Sequence, residues 1–197
     1  MGIAAVALCM AVAVSGCTRA PDDMMLKEAF LLCEDLQYEA ALPLIRAYLT
    51  QNPRSTVGHY LLGKYYQHRD EPALTLAKGQ FDMARHLFDV DGDLSILEEV
   101  MTAREYQATL HCDSALVLLR TTIEAEEAGV PQQAALPILR AARDHARKAR
   151  YFNPQSAFIV DLANTLETMV DAISEPTPPE DEPAPAPELP SPGAWEI

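Results

Sequence analysis

One segment of this chain occurs twice. Ala40-Ala41-Leu42-Pro43-Leu44-Ile45-Arg46-Ala47 returns as Ala134-Ala135-Leu136-Pro137-Ile138-Leu139-Arg140-Ala141, with only Leu and Ile exchanged. Each copy leads to an Asn-Pro step, at Asn52-Pro53 and at Asn153-Pro154. The second copy reaches it seven residues later, about two helical turns. In a second register Ala142, Ala146, Ala149 and Pro154 reproduce the spacing of Ala41, Ile45, Tyr48 and Pro53. Intervals of four and three residues keep side chains on one helical face. Proline then stops the helix and turns the chain. A duplicated helix with a duplicated stop restricts the fold to stacked, similar helical units.

The remainder fits that frame. Asp22 to Asp35 reads as a first helix, with Asp22 or Asp23 as N-cap and Leu26, Phe30 and Cys33 as its apolar stripe. Tyr38 to Thr50 is a second, in which Pro43 is tolerable only in the first turn. Helices follow at about Ser55 to His68 and about Pro72 to Phe88. The acidic run Asp89 to Asp93 lacks the Gly and the terminal acid of a calcium loop: counting from Asp89, those places hold Leu94 and Val100. A helix stop at Gly92, with Asp93 capping the next element, fits better. Leu94 to Ala128 contains neither Gly nor Pro. It is either one helix or two broken near Cys112-Asp113-Ser114, with Asp113 as cap. The second copy of the duplicated segment follows, then a capping helix at about Gln155 to Ile173. Strand-like alternation is absent, and the class is all-α, with about seven or eight helices.

Residues 56–66 carry a family resemblance. Leu62, Gly63 and Tyr66 share a face of the third helix, behind Asn52-Pro53. Ala77, Phe81 and Ala84 follow on the next helix. Together with the duplication, this pattern resembles the tetratricopeptide repeat over residues 22–173. The resemblance implies a right-handed solenoid of antiparallel helix pairs that binds protein in a groove lined by first helices. On that logic Tyr60, Lys64 and Gln67 face a partner, and Gly63 sits where two helices touch. The Lys/Arg and Asn clamp of the chaperone-binding members is not met, because Tyr60 and Lys64 occupy the matching turn.

The ends differ in kind. Ile3 to Val14 is an uncharged apolar run, too short for a stable membrane anchor, and reads as an export signal over residues 1–16. No Lys or Arg precedes it. Its end, Val14-Ser15-Gly16-Cys17, resembles the bacterial lipobox, which implies lipid on Cys17 and a short linker at 17–21. Thr18, in place of Asp, implies sorting to the periplasmic face of the outer membrane in an organism that has one. Residues 174–197 hold eight Pro, six acidic residues and no basic one, the composition of a disordered tail. The single Trp, Trp195, lies in it.

Net charge is −14, which excludes nucleic-acid backbones and anionic membrane surfaces as partners. No phosphate loop, nucleophile elbow or zinc pair is present. The five histidines are scattered and make no ligand spacing. Cys33 and Cys112 are either a disulfide or two buried thiols. Arg140, Arg143, Arg147 and Arg150 recur at helical spacing, either as a solvated face pairing with nearby acids or as a dock for an acidic partner segment. The expectation is a lipid-anchored envelope scaffold without metal, cofactor or catalysis. Arg143 and Arg147 are its second candidate surface. The rival is a lipoprotein with a ligand or catalytic pocket between helices, favoured if polar groups cluster there.

Overall fold

The computed structural model describes residues 19–92, 94–98 and 100–174. Residues 1–16, read as an export signal, Cys17, and residues 175–197 with Trp195 lie outside these residues. So does Asp93, expected as a cap. Ser174, expected to open the tail, is instead the last residue of the final helix. Seven helices and no strand occur among the described residues: α1 Arg19–Glu34, α2 Tyr38–Gln51, α3 Thr56–His68, α4 Leu74–Asp91, α5 Ala103–Glu127, α6 Gln132–Phe152 and α7 Ala157–Ser174. Each packs on its sequence neighbour, and α1 touches α3 as α3 touches α5. Pairs α3/α4, α5/α6 and α6/α7 run antiparallel, since Thr56 meets Ala84, Arg104 meets Phe152 and Gln133 meets Ile173. The stack is solenoid-like.

The duplicated helices keep their register. Ala41, Ile45 and Tyr48 are buried on α2, as Ala142, Ala146 and Ala149 are on α6. Pro53 and Pro154 stand at the exposed corners that follow. Pro43 corrects one expectation: it is the sixth residue of α2, past the first turn, and Pro137 is the sixth of α6. Each therefore lacks one intrahelical hydrogen bond, and both helices continue through the defect. Gly63 lies against the neighbouring helix as expected. A Cβ there would come within 2.5 Å of the Phe81 ring. Ala77, Phe81 and Ala84 are fully buried, with Leu62 and Tyr66 packed half-buried on the same core.

Three boundaries differ from those expected. Arg19 to Pro21 already belong to α1, so Asp22 sits in its first turn rather than capping it. α4 runs on to Asp91 and ends at Gly92, whose φ of 60° is the left-handed C-cap geometry. Residues 94–98 and 100–101 are not helix: turns at 95–98 follow Leu94, and Leu94 and Leu97 are buried. α5 starts behind Thr102, whose hydroxyl accepts from the Glu105 N–H while the Glu105 carboxylate accepts from the Thr102 N–H. That reciprocal cap satisfies two amides left open at the helix start. From there α5 runs unbroken through Asp113.

α5 joins two cores. Tyr106, Leu110 and Val117 belong to the first, with α1 to α4. Ala108, Cys112, Ala115 and Leu118 belong to the second, with α6 and α7.

Candidate functional site

The inner face of α3 is closed. Tyr60 is 1% exposed and Gln67 6% exposed, while the Lys64 side chain keeps 16% of its surface. These residues therefore do not line an open groove: Tyr60 and Lys64 meet Asp113 of α5, and Gln67 is buried as well. The Tyr60 hydroxyl donates to Asp113 Oδ2 at 3.0 Å, and Lys64 Nζ pairs with the same oxygen at 3.5 Å. Burial raises the Asp113 carboxyl above its usual range, with Lys64 and the Tyr60 hydroxyl pulling it back. Burial also pulls the Lys64 ammonium down, but Asp113 and the neighbouring acids outweigh it and the net shift is upward. Asp113 is thus a mid-helix partner of α3, not a cap. Tyr106 closes the same layer by donating to the Thr56 carbonyl at 3.2 Å. Gln67 Oε1 is buried and has no hydrogen-bond partner among the described residues.

The arginine stripe of α6 faces mainly α7. Arg147 Nε and Arg150 Nη2 reach Glu167 Oε1 at 2.9 and 3.2 Å, and Arg150 Nη1 donates to Asn164. Arg143 pairs with the adjacent Asp144, and Arg140 donates to Ser174 Oγ. Most of the stripe is therefore neutralised within the fold, as a solvated face pairing with nearby acids would be.

A pocket of about 450 Å³ opens where α4, α5 and α6 meet. Arg85, Asp89, His111, Arg147 and Lys148 bring charge or polarity to it, and Phe88, Tyr151 and Phe152 bring aromatic walls. Arg104 fixes the far wall: its guanidinium donates to the Phe152 and Tyr151 carbonyls at 2.6 and 3.2 Å, taking up open carbonyls at the end of α6. Behind the wall His111 and His145 meet Nδ1 to Nδ1 at 2.9 Å. Arg85 Nη1 lies 3.3 Å from His145 Nε2. A guanidinium only donates. His145 Nε2 is therefore the acceptor, His145 carries its proton on Nδ1, and that N–H donates to His111 Nδ1. The His111 proton must then sit on Nε2. The His111 ring lies parallel to Phe152 at 6.0 Å.

Both histidines stay neutral at physiological pH. Burial pushes the His111 imidazolium down to about 3, helped by His145 and Lys148. Burial, with Arg85 and Lys148, takes His145 to about 4. This pair escapes sequence reasoning because its members are 34 residues apart on different helices. Lys148 escapes it too, falling one residue off the arginine spacing.

Cys33 and Cys112 are free and buried, which decides between the two expectations for them. Burial pushes their thiols up to about 11 and about 12. Among the described residues, no group of three or more His, Cys, Asp or Glu side chains is placed to hold a metal ion. No described helix is long and apolar enough to cross a membrane. No family model, curated protein or solved structure matches the chain.

Proposed function

We propose that this protein is a lipid-anchored envelope adaptor of tetratricopeptide-like architecture, held to the membrane through Cys17 and binding another protein. The observation that supports it is the stack itself: similar helix pairs, a glycine contact at Gly63–Phe81 and a repeated Asn-Pro corner. The partner surface is the α4–α5–α6 concavity, not the inner face of α3. Tyr60, Lys64 and Gln67 serve the interior, whereas Lys148, Tyr151 and the outer side of Arg147 remain accessible. An aromatic wall beside cations suits a segment of a protein that carries carboxylates.

The rival is a lipoprotein that takes a small ligand between its helices. Two buried polar clusters favour it, at Asp113 and at the histidine pair. The Asp113 cluster is directed at its own members, which leaves the histidine pocket as the place where the two readings compete. Cys17→Ser should move the protein from the membrane fraction to a soluble or uncleaved form, and unchanged fractionation would refute the anchor. Cross-linking from position 148 in intact envelopes then separates the readings. An adduct with one protein, lost in Arg147→Glu, supports the adaptor; no protein adduct refutes it.

A further inference from the structure

Among the described residues, the outward face of α1 is left open. The helix packs on α2 and α3, with Leu26, Ala29, Phe30 and Cys33 buried in the core they share. Met24 and Leu31 lie on the other side, 71% and 58% exposed. They stand seven residues apart, about two turns, and so share one face. With Met25, Lys27, Glu28 and Leu44 of α2 they line a shallow hollow of about 620 Å³. Lys27 and Glu28 bring to it one charge of each sign. A second observation is the place of this helix in the chain. α1 begins at Arg19, two residues after Cys17. Two residues span at most about 7 Å. A lipid on Cys17 therefore brings the start of α1 to the membrane surface.

We propose that the Met24–Leu31 face of α1 docks on a bilayer of zwitterionic lipid beside the Cys17 anchor, with both side chains sunk among the upper acyl carbons. This deepens the adaptor reading and rests on it for the anchor. The tether is what makes so small a face sufficient. Once Cys17 holds the chain at the membrane, docking of α1 is an intramolecular step at high effective concentration. A second copy of the chain is a poorer occupant. Six side chains line the hollow, whereas a stable protein interface uses about 20–30 residues a side. Charge selects the headgroup. The hollow itself is balanced between Lys27 and Glu28, while the chain as a whole carries −14, so an anionic leaflet repels the body and a neutral one does not. Docking through α1 also leaves the partner surface free, since every residue lining the α4–α5–α6 pocket lies on those three helices.

The test is the depth of single nitroxide labels on the full lipidated chain in phosphatidylcholine vesicles. Labels are attached at Met24→Cys, Leu31→Cys and Lys148→Cys in separate samples; Cys33 and Cys112 are buried. Collision with oxygen, which concentrates in lipid, is compared with collision with a water-soluble nickel complex. The labels at 24 and 31 should favour oxygen and lie about 5–10 Å into the headgroup and acyl boundary. The label at 148 should favour nickel. Nickel-favoured labels at 24 and 31, or lipid contact at 148 in their place, overturn the proposal. Leu31→Glu should return the label at 24 to water while the protein still floats with the vesicles; an unmoved label overturns the proposal. Because Leu31 is exposed, this substitution leaves the core intact. Replacing half of the lipid by phosphatidylglycerol should lower the oxygen preference at 24 and 31, and an unchanged preference overturns the choice of zwitterionic headgroup. Spin–spin broadening between copies labelled at 31 would show that a second copy covers the hollow, which overturns the proposal. Mass spectrometry of Cys17 separates the two readings. Lipid on Cys17 with both α1 labels in water removes the docked face alone; a bare Cys17 removes the anchor and the docked face with it.

Discussion

Gly63→Ala offers a direct measure of how closely α3 and α4 are packed. The added methyl would sit 2.5 Å from Cδ1 and Cε1 of Phe81 and 3.1 Å from Cζ. Ordinary contact begins near 3.4 Å, so the ring must retreat by about 1 Å. It has little room, since Phe81 is 0% exposed and its ring packs 5.9 Å from that of Tyr60. Overpacking of this kind costs about 1–3 kcal/mol, while replacing a mid-helix Gly by Ala returns about 1 kcal/mol. The net loss is therefore expected between about zero and 2 kcal/mol, too narrow to interpret alone. Gly79 on α4 supplies the reference, because a Cβ there meets nothing within 4 Å. Gly79→Ala gains the same helix propensity without the clash. The difference between the two variants isolates the contact at about 1–3 kcal/mol. Urea unfolding followed by far-ultraviolet circular dichroism measures both midpoints. Phe81→Leu should cost less in the Gly63→Ala background than in the wild type. Equal shifts for the two alanines would refute the packing argument.

Three further outcomes follow from buried groups. The folded histidines at 111 and 145 titrate near 3 and 4 against an unfolded value near 6.5, so the unfolded chain binds more protons between those limits. Stability is fully present above pH 6.5 and falls as pH drops through that window. The loss is up to about 1.4 kcal/mol per pH unit for each histidine, with Arg85, Lys148, Lys78 and Asp82 setting the local field; a flat urea midpoint from pH 7 to 5 would contradict it. Asp113→Ala strands Lys64 and the Tyr60 hydroxyl and should cost up to about 3–5 kcal/mol, whereas Asp113→Leu with Lys64→Met and Tyr60→Phe, which removes all three polar partners, should come near neutral; denaturant midpoints showing equal losses would sink the ion-pair account. Cys33 and Cys112 should resist a thiol reagent in the native protein and react together once it unfolds, without reductant; rapid native labelling would mean that the cores open.

The legible parts of this fold are those whose signals are local. Ala142, Ala146 and Ala149 could be placed on a buried face because helix periodicity alone brings them together. Gly92 marked its helix end because few other residues adopt positive φ without strain. The start of α5 also had a local signal, Thr102 with Glu105 three residues on, but Leu94 and Leu97 continue the apolar pattern upstream and hid it. Asp113 misled for a different reason. Aspartate favours helix caps, and only the arrival of Tyr60 and Lys64, about fifty residues earlier in the chain, makes it stable inside a helix. The histidine pair has no local trace at all. The groove expectation failed because it depends on how closely successive first helices approach, which the bulk at their contact decides.

The two polar clusters are joined mechanically through α5. His111 and Asp113 are two residues apart, about 200° around the helix, so they face opposite sides. One side meets Tyr60 and Lys64 of α3, the other meets His145 of α6. A helix buried on both sides cannot rotate to improve one contact without straining the other. Apolar packing alone tolerates small slips, because methyl groups interchange at little cost. A hydrogen bond does not, since it weakens steeply with distance and angle. The Asp113 cluster therefore fixes the rotation of α5 on the closed side. That rotation presents the His111 ring to the pocket on the open side. In this arrangement the buried residues Tyr60 and Lys64, expected to touch a partner, act one helix away from the surface where a partner would bind.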